Sequence, residues 1–144
     1  MDYLSIFLLF FFLVFVLIVL CFFLFKRKEA NNDTLSFLKD SANQIAPEFD
    51  GSIQLTTESS HCVDKKRIFI QDSHSRDTLL LMLLHELAHC LIRDLGHDQP
   101  FQTKFLELIE RSRKLGYLTN IQNVFEELGG KKSRKYRAIP RRSV

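Results

Sequence analysis

His85-Glu86-Leu87-Ala88-His89 is the stretch from which the rest of this 144-residue sequence is interpreted. Residues four apart lie on one face of an α-helix, so the two histidines can offer their imidazoles to one metal ion. The glutamate between them can act as a general base on a zinc-activated water. His97, which follows the helix-breaking Gly96, can complete a three-ligand site with an open fourth position. The pattern is typical of zinc-dependent hydrolysis, usually of a peptide bond.

The motif lies in a strongly apolar segment that predicts a helix from Thr78 to Leu95, with Asp77 as N-cap. Apolar residues occupy almost every side, as in a helix at the centre of its domain. A second helix is predicted from Gln99 to Leu115, with Asp98 as N-cap, and a third from Asn120 to Leu128. The buried stripe predicted for the second helix comprises Phe101, Phe105, Leu108, Ile109 and Leu115.

Upstream of the motif the sequence predicts one helix and two strands. Helical spacing of apolar residues indicates a helix from Thr34 to Ala46, which Pro47 ends. Alternation of apolar and polar residues predicts strands at Ser52 to Thr57 and Arg67 to Gln71. The polar segment between them, Glu58 to Lys66, is interpreted as a turn, so the two strands are expected to pair as an antiparallel hairpin.

An unbroken apolar run from Tyr3 to Phe25 precedes the domain. Its roughly 23 residues would span about 34 Å as a helix, enough to cross a bilayer. The run is longer than a signal-peptide core and is flanked by Lys26-Arg27-Lys28, so we expect a retained anchor. By the positive-inside rule, we expect this flank, and the domain after it, on the cytoplasmic side of the membrane.

The net charge of +3 arises from the C-terminal tail, because seven basic residues fall between positions 131 and 142. The predicted organisation is an anchor with its basic flank at 1–28, a domain at 29–130 joined through the polar linker Glu29 to Asp33, and a disordered basic tail at 131–144. Such a tail can bind anionic lipid or nucleic acid. The bilayer itself is the expected partner of residues 3–25.

The chain has three cysteines, Cys21, Cys62 and Cys90, and no CxxC pair. This spacing does not indicate a disulfide framework and is compatible with a reducing compartment. Cys90 follows His89 and should point about 100° away from it around the helix. It is therefore expected to be a buried, inert thiol.

Several stretches together resemble the SprT-like and WLM-type zinc metallopeptidases, most closely the small members found in large DNA viruses. They are Lys65 to Ile70, Asp77-Thr78-Leu79, the HELAH motif and Gly96-His97-Asp98-x-x-Phe101. The resemblance covers about Lys65 to Leu118. It implies an α+β, minimal zincin-like fold with a helix, a small antiparallel sheet, an active-site helix and C-terminal helices, here behind one transmembrane helix. It also implies Zn²⁺ bound by His85, His89 and His97, with Glu86 as general base.

Some roles remain open at this stage. Many members place the third histidine nearer to the second than here, where His97 follows His89 by eight residues. Glu107 and Glu110 are therefore alternative third ligands. Asp98 is either an acceptor for a ligand histidine or a plain N-cap. The side chains considered as oxyanion-stabilising donors are Tyr117 and His61.

The leading functional hypothesis is a membrane-anchored zinc metalloendopeptidase with a protein or peptide as substrate. A second hypothesis is a non-catalytic scaffold membrane protein, associated with a virion, that keeps the zinc fold. A third is a DNA-associated protease that cleaves crosslinked proteins and uses the basic tail to bind nucleic acid, as the resemblance implies.

Overall fold

The structure is a computed structural model that describes residues 3–72, 75–92 and 97–119. The helices are α1 (Tyr3–Ile45), α2 (Arg76–Leu91) and α3 (Gln99–Lys114), and the strands are β1 (Ser52–Thr56), β2 (His61–Val63) and β3 (Arg67–Gln71). This part of the chain is therefore α+β, as predicted. The predicted third helix, the basic tail and Gly96 lie outside the described residues.

The first helix is longer than predicted, because α1 runs without a break from Tyr3 to Ile45. The predicted linker from Glu29 to Asp33 is helical, and this prediction was wrong. The linker contains no proline or glycine, the two residue types that most strongly interrupt a helix. Contacts divide the chain into two units, with the boundary between Asp33 and Thr34.

In the first unit, α1 exposes its apolar side chains. The large apolar residues between Phe7 and Phe25 are almost all exposed, by 38% to 67%. Within the described residues, α1 is the helix that is long and apolar enough to cross a membrane. Since a continuous apolar surface of this kind is costly in water, the prediction of a membrane segment agrees with the structure.

The second unit begins with the last turns of α1. Leu38, Ala42 and Ile45 are buried at helical spacing, as predicted from their pattern. The helix ends at Ile45, two residues before Pro47, because the residue before a proline is sterically excluded from the helical region.

The three-stranded sheet has the order β1-β3-β2. β1 pairs with β3 in parallel, with Ile53 beside Ile68, whereas β2 pairs with β3 in the antiparallel direction. The prediction that β1 and β3 form an antiparallel hairpin was therefore wrong, and the sheet is mixed. Ile53, Ile68 and Ile70 are buried in the core, to which α2 also contributes.

The missed element is β2, which lies in the segment interpreted as a turn. Its hairpin with β3 closes through a four-residue turn, in which Lys66 N–H donates to the Val63 carbonyl at 3.1 Å. The central residues Asp64 and Lys65 both have positive φ, 52° and 57°. Turns of this geometry usually carry asparagine or glycine. Their absence here explains why the sequence did not indicate a hairpin.

α2 is the central element of the second unit, as its apolar composition predicted. It begins two residues earlier than expected, after Ser75 as N-cap, and ends at Leu91 rather than Leu95. Leu80, Leu81, Leu83, Leu84 and Leu87 are fully buried. A helix enclosed on most sides has little freedom to shift, so side chains along it are held in fixed positions.

α3 packs its predicted stripe of Phe101, Phe105, Leu108 and Ile109 into the core. Leu115 is the exception: it is 47% exposed because it caps the helix beyond its last turn. Asp98 is the N-cap of α3, which was one of the two roles predicted for it. Its side chain makes no capping hydrogen bond.

An ion-pair cluster fixes α3 against the end of α1. Arg111 Nη1 donates to the Ile45 carbonyl at 2.6 Å, and Glu48 lies 3.2 Å from Lys104 and 3.6 Å from Arg111. Burial acts to raise the pKa of Glu48. Hydrogen bonds from its own backbone N–H and from Lys104, with the positive charges of Lys104 and Arg111, outweigh burial and hold that pKa below its ordinary value.

Cys62 and Cys90 form a disulfide that joins β2 to the last turn of α2. The predictions of no disulfide and of an inert Cys90 thiol were therefore wrong. Cys90 does point away from His89, but towards a strand that the sequence had not revealed. Because structural disulfides are typical of oxidising compartments, the cysteines no longer favour the cytoplasm. The cytoplasmic placement stays a prediction that depends on the basic flank alone.

Candidate metal centre

Three histidines converge at the C-terminal end of α2. The Nε2 atoms of His85, His89 and His97 are each 3.2 Å from the other two. His85 is fully buried, His89 is half-buried and His97 is exposed. Among the described residues, these three form the group of side chains close enough to hold one metal ion. Such an ion would be reached from solvent on the His97 side.

The size of this triangle tests whether a metal ion fits. The centre of an equilateral triangle of this side is about 1.85 Å from each corner, slightly less than the zinc–nitrogen distance of about 2.0–2.1 Å. An ion at that distance from all three atoms would therefore sit just off their plane. The angle between any two ligands would be about 103°, close to the tetrahedral value. A fourth position would remain open on the far side.

Hydrogen bonding among the imidazoles does not by itself account for this arrangement. A neutral ring nitrogen either donates one proton or accepts at one lone pair, in one direction in the ring plane. Each Nε2 here has two Nε2 neighbours at the same distance of 3.2 Å. A cation shared by three lone pairs satisfies all of them at once, which is why the arrangement fits a metal.

The two elements that carry the ligands position them differently. His85 and His89 are one helical turn apart on α2, so their alignment follows from the helix itself. His97 comes immediately before the N-cap of α3. Gln102 fixes the backbone just before α3. Its side-chain amide donates to the His97 carbonyl at 3.1 Å, and its backbone N–H donates to the Asp98 carbonyl at 3.0 Å.

The eight-residue step from His89 to His97 is accommodated without a longer helix. The residues after Leu91 were expected to extend α2, but Ile92 is already extended, with φ −102° and ψ 158°. Its carbonyl accepts a hydrogen bond from Lys65 Nζ at 2.7 Å. The chain thus leaves the helix within one turn of His89, which gives it length to return to the site.

The alternative third ligands lie in ion pairs along α3. Glu107 is 2.9 Å from Arg111 and 3.3 Å from Lys104, and Glu110 is 3.8 Å from Lys114. His97, rather than either glutamate, is brought to His85 and His89. The sequence left this choice open because α3 could have been rotated or placed differently relative to α2.

Glu86 lies between the ligands on α2 and is only 4% exposed. Carboxylates are rarely buried to this extent without a compensating charge or hydrogen bonds. A neighbouring divalent cation would supply such a charge. The position of Glu86 therefore agrees with, but does not test, the general-base role predicted for it.

The two side chains considered as oxyanion donors have contacts of another kind. His61 Nδ1 is 2.8 Å from the Ser59 carbonyl oxygen, and the ring of His61 stacks on Phe69. The ring of Tyr117 lies 6.2 Å from that of Phe37. The donor role stays a prediction for both residues, as does the role of Asp98 as an acceptor for a ligand histidine.

Phe101 contacts all three histidines, and the sequence did not predict this contact. Its ring centroid lies 4.4 Å from that of His89, 4.8 Å from that of His97 and 4.9 Å from that of His85. The sequence placed Phe101 in the buried stripe of α3 and in one of the stretches that carry the resemblance, without a contact to the histidines. The available signal was its spacing, since a residue four after His97, at the start of a helix, can fold back against it.

Comparison with known proteins yields two viral relatives of unknown function. The uncharacterized protein 136R of Invertebrate iridescent virus 6 is 41% identical over 66 residues, or 40% of this chain and 37% of that protein. The uncharacterized protein 042R of Invertebrate iridescent virus 3 is 41% identical over 44 residues, which cover 31% of this chain and 28% of that protein. This chain thus spans well under half the length of either relative. Their viral origin agrees with the viral origin that the resemblance implied.

No protein-family model matches the chain, and no solved structure matches it.

Proposed function

We propose that this protein is a membrane-anchored zinc metallopeptidase, in which His85, His89 and His97 hold the metal and Glu86 is the general base. The observation that supports the proposal best is the triangle of Nε2 atoms at 3.2 Å. Three histidine ligands with a fourth position left open are typical of catalytic zinc sites, whereas structural sites use four protein ligands.

Zinc is proposed because the ligands and their spacing suit it. Imidazole nitrogen is a ligand for zinc, copper, nickel and iron alike, so ligand type alone does not choose among them. The near-tetrahedral angles that the triangle allows suit zinc, whereas copper(II) and nickel(II) prefer square-planar or tetragonal arrangements. Zinc, when bound, supplies Lewis acidity that lowers the pKa of a water and polarises a carbonyl group.

The chain's own residues supply the remaining chemistry. His85 and His89 are fixed by the buried helix, so the site is organised before substrate arrives. Glu86 takes the proton from the attacking water and passes it to the leaving amine. Its burial keeps the carboxylate away from bulk water, which strengthens its interaction with positive charge.

The proposed membrane attachment depends on α1. Its apolar portion is exposed along the whole run from Phe7 to Phe25, so a bilayer is the environment that would cover it. Anchoring restricts the peptidase to proteins near one membrane face, which raises their local concentration at the site. The proposed substrate is therefore a protein segment close to a membrane.

The test compares Glu86→Gln with wild type in the full-length chain, purified in detergent without a histidine tag. Zinc content and cleavage of an unfolded protein substrate are both measured. Glu110→Gln is the matched control, since Glu110 is exposed on α3 and pairs only loosely with Lys114 at 3.8 Å. We expect one zinc per chain in all three proteins. Glu86→Gln should lose about 10²-fold or more of the cleavage rate, and Glu110→Gln should keep it.

Two results would contradict the proposal. A wild-type chain without stoichiometric zinc would exclude the metal site. Cleavage that is equally fast in Glu86→Gln would exclude the mechanism. A zinc-loaded wild type that cleaves neither added protein nor itself would instead support the scaffold hypothesis.

A further inference from the structure

The ring of Phe101 is in contact with all three candidate ligands at once. It is tilted by 32° relative to His89 and meets His85 and His97 edge-on, at 64° and 69°. Phe101 is 3% exposed and stacks on Phe105, with ring centroids 5.7 Å apart. A single aromatic ring thus packs against all three candidate ligands.

We propose that Phe101 is a positioning residue of the metal centre, which fixes the imidazole planes and stabilises their metal-bound state. The inference deepens the proposed function and rests on it. It assigns to an apolar side chain a task that hydrogen-bonded carboxylates or carbonyl groups commonly perform in metal sites.

Phe101 restricts rotation of the three imidazole rings. The terminal torsion of histidine is broad, so packing or a hydrogen bond must select the angle that points Nε2 at the metal. A planar ring 4.4 to 4.9 Å from three imidazoles blocks a large part of that rotation for each of them. The ligands therefore lose less conformational freedom when an ion binds.

The ring of Phe101 also interacts electrostatically with the imidazoles. The face of a phenyl ring is negative and attracts positive charge held above it. An ion bound to Nε2 draws electrons from the imidazole and makes its C–H groups more positive. The contacts of Phe101 with His85 and His97 are of the edge type. This attraction grows on metal binding where an imidazole edge meets the phenyl face. Phe101 should thus favour the loaded over the empty state.

A competing explanation is that Phe101 only fills the core. Phe105 offers a matched control, because it is the same residue type on the same helix and is 4% exposed. Its ring contacts His85 at a centroid distance of 5.6 Å, longer than each of the three contacts of Phe101. The two phenylalanines should therefore contribute similarly to packing and differently to metal binding.

The experiment uses the full-length chain in detergent and the variants Phe101→Leu, Phe101→Met and Phe105→Leu. Zinc affinity is measured by competition with a chromophoric chelator. The visible spectrum of the cobalt(II)-substituted protein reports ligand geometry, and the melting temperature of the metal-free protein reports packing. We expect both Phe101 variants to lose about 10-fold or more in zinc affinity and to shift or weaken the cobalt bands. Phe105→Leu should lose no more than about 3-fold at a similar drop in melting temperature.

The outcomes separate this inference from the proposed function. Wild type that binds zinc, with Phe101 variants within about twofold of its affinity, would overturn the inference alone. Equal losses in Phe101→Leu and Phe105→Leu at equal melting temperatures would also overturn it, in favour of core filling. Wild type that binds no zinc would overturn the proposed function, and this inference with it. Methionine is apolar, flexible and able to fill irregular space in a core. Phe101→Met therefore provides a folded comparison if leucine disturbs the core too much.

Discussion

Loss of the Cys62–Cys90 disulfide should destabilise the second unit and the metal site together. The bridge spans 28 residues of chain. In the loop-entropy treatment, a cross-link that closes a loop of that length lowers the conformational entropy of the unfolded chain. This raises the free energy of unfolding by about 3.5 kcal/mol. Since small domains are stable by only about 5–15 kcal/mol, reduction should remove a large fraction of the total.

The position of the bridge determines where its loss is felt. Cys90 is next to His89, and Lys65 donates to the Ile92 carbonyl just beyond, at 2.7 Å. The last turn of α2 is therefore attached to the β2–β3 hairpin at two neighbouring points. Without the covalent one, the turn loses one of these two attachments to the hairpin, and we expect zinc affinity to fall as well.

The assay is hydrogen exchange of the α2 amides by mass spectrometry, in detergent and with a chelator present. Wild type is compared before and after treatment with a phosphine, which reduces the disulfide to two thiols and is itself oxidised to the phosphine oxide with water. The double variant Cys62→Ser/Cys90→Ser should exchange at the rate of reduced wild type, and the phosphine should not change that rate. Cys21→Ser is the control, because Cys21 is a free thiol on α1, and it should behave as wild type.

Two observations would refute this reasoning. Alkylation of the unreduced, denatured chain should modify one cysteine, and modification of all three would show that the bridge is absent. A change of less than about 0.5 kcal/mol in the opening free energy on reduction would show that it does not stabilise the fold.

Two further predictions concern the third ligand and an ion pair. His97→Ala should weaken zinc binding about 100-fold or more, whereas Glu107→Ala and Glu110→Ala should leave it within a few-fold, as measured by chelator competition; the reverse order would assign the ligand to α3. The lowered pKa of Glu48 means that its stabilising contribution is present above the unfolded-state pKa and is lost as pH falls through the folded-state value. Glu48→Gln should therefore be less stable than wild type near pH 7, and the difference should shrink as the pH is lowered into the acidic range, while the exposed Glu58→Gln serves as control. A difference that is constant with pH would contradict this.

Most of the helices and the alignment of His85 with His89 could be predicted because local patterns determine them. The spacing of His85 and His89 is a property of one helix, and the burial of α2 follows from its leucines. His97 was expected as the third member because it follows the helix-breaking Gly96, but Glu107 and Glu110 stayed open as alternatives. These inferences needed no knowledge of how distant parts of the chain meet.

The sheet and the disulfide could not be predicted because they depend on pairing between distant segments. β2 has only three residues, and its turn at Asp64 and Lys65 lacks the usual asparagine or glycine. Without β2, the parallel pairing of β1 and β3 had no connection to explain it, and Cys62 had no place near Cys90. The contact of Phe101 with His85 was missed for a related reason, because it depends on how α3 packs against α2.

Zinc K-edge X-ray absorption of the full-length chain tests the central claim most directly. The claim predicts one zinc per chain, bound by three imidazole nitrogens at about 2.0–2.1 Å and one further light atom, with the imidazole scattering reduced in His97→Ala. Sulfur scattering at about 2.3 Å would contradict it, since zinc would then be bound by the thiols of Cys62 and Cys90. A chain that retains no zinc would contradict it as well.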